Sequence, residues 1–202
     1  MWKLEQLEEV SSTGALFTLA AAKTELGIVD TGVSGIDDAV DAQVTRIMSA
    51  AQNWCEQTTY RTLREEVEYE AHLECWPATG AVVLLPKPPL LSITSVKYLD
   101  ASDVEQTVSN TLYEASFSDG TAGQLRFADG FAYPSLSTQL LPITVTWKSG
   151  YGIGGTLPPE AVQAAALMLS RWYDADRSST DLENYERSAV ALLRGLQWGE
   201  YV

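Results

Sequence analysis

Residues 63–74 read Leu63-Arg-Glu-Glu-Val-Glu-Tyr-Glu-Ala-His-Leu-Glu74, and within them the spacing of apolar side chains changes. Val67, Tyr69, Ala71 and Leu73 alternate with Glu66, Glu68, Glu70, His72 and Glu74, the two-residue period of a strand with one face buried and one solvated. Immediately upstream the period is helical. Over residues 36–58 the positions Val40, Val44, Ile47, Met48, Ala51, Trp54, Cys55 and Thr58 repeat at three and four, with Asp41, Arg46, Gln52 and Gln57 on the faces left to solvent. A helical segment therefore hands over to a β segment near residue 62.

Working outward from that joint, Thr18-Leu-Ala-Ala-Ala-Lys-Thr-Glu-Leu-Gly27 has a threonine N-cap, alanines of high helix propensity and a glycine stop. Residues 30–35 have loop composition, and Asp37 and Asp38 stand where carboxylates favour a helix start. Downstream, strand signals recur at residues 81–85, 93–99, 112–117, 124–127 and 143–147, separated by pieces rich in Gly, Pro, Asp and Ser. Helical spacing returns after Pro158-Pro-Glu160, with Val162, Ala165, Ala166, Leu169, Trp172 and Tyr173 as the expected buried stripe, and again over residues 182–196. The pattern predicts an α+β protein, a helical bundle body with an inserted small antiparallel β domain. The expected division is residues 1–62 for the first part of the body, 63–149 for the β domain, and 150–202 for the second part with a C-terminal tail.

Composition narrows the function. The chain has 202 residues, 46% of them hydrophobic, which is enough for a substantial core. No run of about eighteen apolar residues occurs, so no membrane span is expected, and the acidic N-terminus lacks the basic start of a signal peptide. The expected compartment is cytoplasm-like. A formal charge of −14, spread along the chain, would repel a phosphate backbone and argues against duplex binding. Cys55 and Cys75 have no CxxC spacing and His72 is the sole histidine, so no metal site is expected, and both cysteines are expected as buried or half-buried free thiols.

Particular residues at the joints resemble a known family. They are the capped helix ending at Gly27-Ile28, the segment Trp54-Cys-Glu-Gln-Thr-Thr-Tyr-Arg61, and Leu84-Leu-Pro-Lys-Pro-Pro-Leu-Leu-Ser-Ile-Thr-Ser-Val-Lys-Tyr98. To these are added Ile143-Thr-Val-Thr-Trp-Lys-Ser-Gly-Tyr-Gly152, Leu157-Pro-Pro-Glu160 and the helix end Ser170-Arg-Trp-Tyr173. In this order they resemble the head-to-tail connector (adaptor) family of tailed bacteriophages, including the adaptors of gene transfer agents. The resemblance implies a structural virion protein of the neck, assembled in the bacterial host cytoplasm as a homo-oligomeric ring, commonly a dodecamer. Its implied partners are the portal protein and the head-completion (stopper) or tail-completion proteins, with double-stranded DNA only as passing cargo. The alternative is a virion-associated β-sandwich module for ligand binding or tail completion.

Aromatic side chains anchor such interfaces because they bury much area at low entropy cost. Trp172, Tyr173, Tyr185, Trp198 and Tyr201 are the candidates for portal or ring contact, with capping of the helical core as the competing role for Trp172 and Tyr173. No enzyme is expected, and no catalytic residue or cofactor. Gly150-Tyr-Gly-Ile-Gly-Gly155 comes after a strand as a dinucleotide-binding turn does, but Thr156 to Pro159 separate it from the helix and no Lys-Ser/Thr succeeds it. The histidine lies on a glutamate-rich strand, away from any nucleophile elbow.

Overall fold

The computed structural model describes residues 5–116, 123–174 and 178–198. It divides into two compact units, each discontinuous in sequence: residues 1–13 with 64–154, and residues 14–63 with 155–202. Among the described residues the first is built of strands and the second of α-helices, so the protein is mixed α+β.

In the β unit, β1 (Glu5–Thr13), β2 (Glu66–Leu73), β3 (Val82–Leu85), β4 (Leu90–Leu99), β5 (Glu105–Thr107), β6 (Tyr113–Ser116), β7 (Gly123–Phe127) and β8 (Ile143–Ser149) form two antiparallel sheets. One has the order β1-β2-β8-β4-β5 and the other β3-β7-β6. The alternation that marks β2 is realised as expected, with Val67, Tyr69, Ala71 and Leu73 buried. β8 pairs with β2 on one side and β4 on the other, and it buries Ile143, Val145, Trp147 and Ser149. Both sheets supply one core, in which Val67, Val96, Val145 and Trp147 meet Val83, Leu85, Leu125 and Phe127. That face-to-face burial is what holds two small sheets together.

Two strands differ from the sequence expectation. Glu5–Thr13, expected in the helical body, form β1 and pair with β2. Its alternation is broken by two register irregularities, one between Glu5 and Glu8 around Leu7 and one between Glu9 and Ser11 at Val10, and both of these side chains stay exposed. β5 is three residues long and wholly exposed, with no apolar signal to read.

A cluster of rings extends the β core. Trp76 lies edge-on to Tyr98, Phe127 and Phe131 at centroid separations of 5.3, 5.5 and 5.6 Å, and its indole N–H donates to the Pro134 carbonyl at 2.9 Å. Phe131 and Tyr133 in turn contact each other at 5.0 Å. This cluster fixes the long connection between β7 and β8.

The helical unit comprises α1 (Leu19–Glu25), α2 (Ser34–Thr59), α3 (Pro159–Tyr173) and α4 (Ser179–Leu193). The Thr18 hydroxyl accepts from the Ala21 amide at 3.2 Å, the N-cap that the sequence calls for. α2 buries Val44, Ile47, Ala51 and Cys55, but also Gln52 and Glu56. Gln52, expected on the solvated side, is buried because its carbonyl oxygen accepts the Leu16 amide at 3.2 Å; Glu56 likewise accepts the Leu63 amide at 3.0 Å. In α3 the buried residues are Ala161, Ala164, Ala165, Ala166, Met168 and Leu169, Ala165, Ala166 and Leu169 as expected, while Val162, Trp172 and Tyr173 are half-buried. The alanines let the neighbouring helices approach closely, and the larger Met168 and Leu169 fill the space beyond them.

Candidate functional site

In the glycine segment after β8, four of the six backbone donors are occupied within the chain. Gly150 N–H donates to the Pro89 carbonyl at 2.8 Å, Tyr151 N–H to the Arg64 carbonyl at 3.1 Å, and Gly152 N–H to the Glu65 carbonyl at 2.7 Å. The Glu65 carboxylate accepts from the Gly154 amide at 3.4 Å. The amides that would cradle a phosphate are therefore turned onto the chain's own backbone and onto a carboxylate. The corner that composition makes flexible is clamped. Gly150 has φ +135°, and a Cβ there would lie 2.5 Å from the Glu65 carbonyl oxygen, so glycine is required for close approach.

Paired carboxylates are likewise committed to structure. Glu65 and Glu66 diverge, Glu66 accepting from Lys148 Nζ at 2.8 Å on the outer face of the sheet. His72 is half-buried on that face, with Nδ1 3.2 Å from the Thr144 hydroxyl and Nε2 3.4 Å from Glu70. Asp37 accepts the Thr31 amide, the Thr31 hydroxyl and the Gly32 amide, each at 2.9 Å. Those bonds, the Thr31 amide foremost, hold its carboxyl below the usual aspartate range. No group of three His, Cys, Asp or Glu able to hold a metal ion occurs among the described residues. Cys55 and Cys75 are free: burial and the neighbouring Glu56 charge push the Cys55 thiol up to about 12, whereas Cys75 is exposed rather than half-buried.

The candidate anchors fall in separate places. Trp172 and Tyr173 lie together at the end of α3, half-buried against the cluster of Ala22, Val44, Ile47 and Leu169. Tyr185 is half-buried on α4 and lines a shallow depression of about 250 Å³ with Leu167, Asp181, Asn184 and Ser188. Trp198 is half-buried, its amide donating to the Thr59 carbonyl at 2.9 Å. Tyr201 lies outside the described residues.

Three exposed apolar residues escape the sequence reading. Val29, Val33 and Ile36 are 85%, 53% and 54% exposed around the α1–α2 turn. They sit among glycines and aspartates, a composition that reads as loop, so no periodicity singles them out.

No protein-family model matches the sequence, and no curated protein matches it. Solved structures do. A chain in the neck of an empty GTA particle computed with C6 symmetry is 20% identical, with a TM-score of 0.75 over 98% of this chain and 97% of that one. A chain in the virion of a native gene transfer agent particle has 20% identity and a TM-score of 0.71 over the same shares of the two chains. A chain in the neck of a native GTA particle computed with C12 symmetry has 19% identity and a TM-score of 0.69, again over 98% and 97%. The protein therefore shares, from end to end, the fold of chains found in gene transfer agent particles and their necks.

Proposed function

We propose that this chain is a structural virion protein of the neck, a head-to-tail connector (adaptor) subunit of a tailed phage or gene transfer agent-like particle. Subunits form a closed ring, most simply of twelve, between the portal and the head-completion or tail-completion proteins, and the genome passes through it. The observation that supports this reading is the near-complete coverage of both chains in the comparison with chains of GTA necks. The joints that carry the sequence resemblance agree with it.

In this reading the helices form the bundle body, with its segments meeting the β domain at residues 14, 64 and 155. Ring closure by one repeated contact needs two different surfaces on each subunit. Trp172, Tyr173, Tyr185, Trp198 and Tyr201 supply aromatic anchors, the C-terminal ones toward the portal. The work is binding, and neither catalysis nor a cofactor enters. A net-acidic ring lets DNA slide without gripping it, consistent with the charge of −14.

The test is co-expression with the portal protein of the same genome, with purification and electron microscopy of the product. A twelve-membered ring on the portal is expected, with no retention of duplex DNA near physiological salt. A protein that co-purifies with no virion component and is missing from particles sinks the reading; one that binds a glycan or peptide without any portal favours the β-sandwich module instead.

A further inference from the structure

Four strands stand at sheet edges, β1 and β5 in the larger sheet and β3 and β6 in the smaller. An edge strand presents a row of backbone N–H and C=O groups that its own sheet does not pair. β1 is the longest of the four at nine residues, against three for β5 and four each for β3 and β6. Among the described residues, β2 is its sole strand partner.

β1 also differs from β2 in how it is held. β2 buries Val67, Tyr69, Ala71 and Leu73, whereas every side chain of β1 from Leu7 to Thr13 is exposed. Apolar burial therefore contributes little to ordering this strand. The ladder to β2 holds it, together with Arg64, whose Nη1 donates to Glu9 at 3.0 Å and to the Ser12 hydroxyl at 2.9 Å. Leu7 and Val10, 40% and 55% exposed, leave apolar surface along the same strand. A long strand paired on one side, with uncovered apolar side chains, is a template for one strand more.

Charge states which strand fits. Glu8 stands directly opposite Glu70 across the ladder, with Ser11 opposite Glu68 and Thr13 opposite Glu66. Like charges placed opposite each other on a sheet repel, and a cation on the next strand offsets that repulsion. Arg64 meets Glu9 and Lys148 meets Glu66, which leaves this border acidic on balance among the described residues. Among the described strands, a second copy has no basic edge to offer. β1 carries Glu5, Glu8 and Glu9, β5 carries Glu105, β6 carries Glu114, and β3 carries no charge. Lys97 and Arg126 lie on β4 and β7, each of which is already paired on both sides.

We propose that the free edge of β1 takes up an extended, lysine- or arginine-bearing segment of a different polypeptide, which adds to the five-stranded sheet as a further strand. Backbone hydrogen bonds supply the attachment, and Glu8, backed by Glu70, selects a cationic side chain on the incoming strand. The contact goes beyond the connector reading and does not depend on it.

The experiment titrates the full chain with a synthetic peptide of the length of β1 that alternates lysine and valine. Amide hydrogen exchange is read residue by residue, with circular dichroism to establish folding. Exchange of the β1 amides slows by about tenfold or more at saturation. The same peptide with every backbone amide methylated keeps its charge but cannot donate to a ladder, and it gives no protection; nor does a peptide with glutamate in place of lysine. Glu8→Lys combined with Glu70→Lys weakens binding of the lysine peptide by about tenfold, and the milder Glu8→Gln by about threefold. Equal protection by the methylated peptide, or protection confined to β3, β5 or β6, overturns the proposal. So does a slowing of β1 exchange that grows with protein concentration in the absence of peptide, which assigns the edge to a second copy. Each of these results leaves the connector reading standing, because that reading is tested by the ring on the portal.

Discussion

The backbone amide of Trp198 donates to the carbonyl of Thr59 at 2.9 Å, so the segment after α4 is tied to the last turn of α2. Arg61 Nε reinforces this by donating to the Leu196 carbonyl, and Gln197 Nε2 reaches the Thr58 carbonyl at 3.4 Å. Gln197 and Trp198 therefore take part in the helical unit's own packing, while the portal contact proposed for the tail rests on Trp198 and the residues after it.

That division separates two truncations. Removing residues 199–202 is expected to abolish co-purification with the portal while the subunit stays folded. Removing residues 197–202 also costs about 1 kcal/mol or more in stability, through loss of the three hydrogen bonds that Gln197 and Trp198 donate to Leu193, Thr58 and Thr59 and of the Trp198 packing. Urea unfolding of both, beside pull-down on the portal, checks the pair; portal binding retained by the shorter truncation overturns the role given to the tail.

The clamp on Glu65 predicts a graded response to alanine. Gly150→Ala places a methyl 2.5 Å from a carbonyl oxygen at φ +135° and is expected to destabilise by about 3 kcal/mol or more. Gly154→Ala, at φ +72° with nothing within 4 Å of the added carbon, is expected to cost about 1 kcal/mol. Equal effects, or nucleotide binding lost in either variant, would contradict the assignment of this segment to structure.

Trp76→Ala removes the hub of the ring cluster and the indole bond to Pro134, and is expected to cost about 3 kcal/mol, whereas Trp76→Phe keeps most of the packing and costs about 1 kcal/mol. Chemical denaturation gives both values.

Two held carboxylates make the protein acid-sensitive. Asp37 is lowered by the Thr31 amide above all, and Asp100 by the Gln106 side-chain amide and then the Ser102 and Val104 amides. A depressed folded value means each contributes stability fully above its unfolded value of 3.8 and loses it as pH falls through the folded one. Melting temperature should fall below about pH 4, and Asp37→Asn and Asp100→Asn should be less stable than wild type at about pH 7 but closer to it at about pH 2.5. A gap that stays constant with pH would show that these carboxylates do not matter as anions.

Much of the fold was legible because its principal elements are strongly periodic. α2, β2 and β8 each present one clear face, so helix or strand could be assigned from spacing alone. β1 was hidden by its register irregularities, and the Trp76 cluster because its members come from turn-rich stretches that meet only in the fold. Gln52 reads as a surface residue until its partner, the Leu16 amide, is known. The candidate site was less legible for a different reason: the proposed assembly surface, unlike a catalytic site, has no fixed spacing of reactive groups. Aromatic content singled out Trp172 and Tyr173, which pack on their own core, while the exposed Val29, Val33 and Ile36 gave no pattern at all.

The strand at the centre of the larger sheet, β8, is the last of its strands to be synthesised, and both β2 and β4 depend on it for hydrogen bonding. A nascent chain has no complete sheet to offer until residue 149 has left the ribosome, so a prematurely terminated product lacks the middle of its β unit rather than an edge.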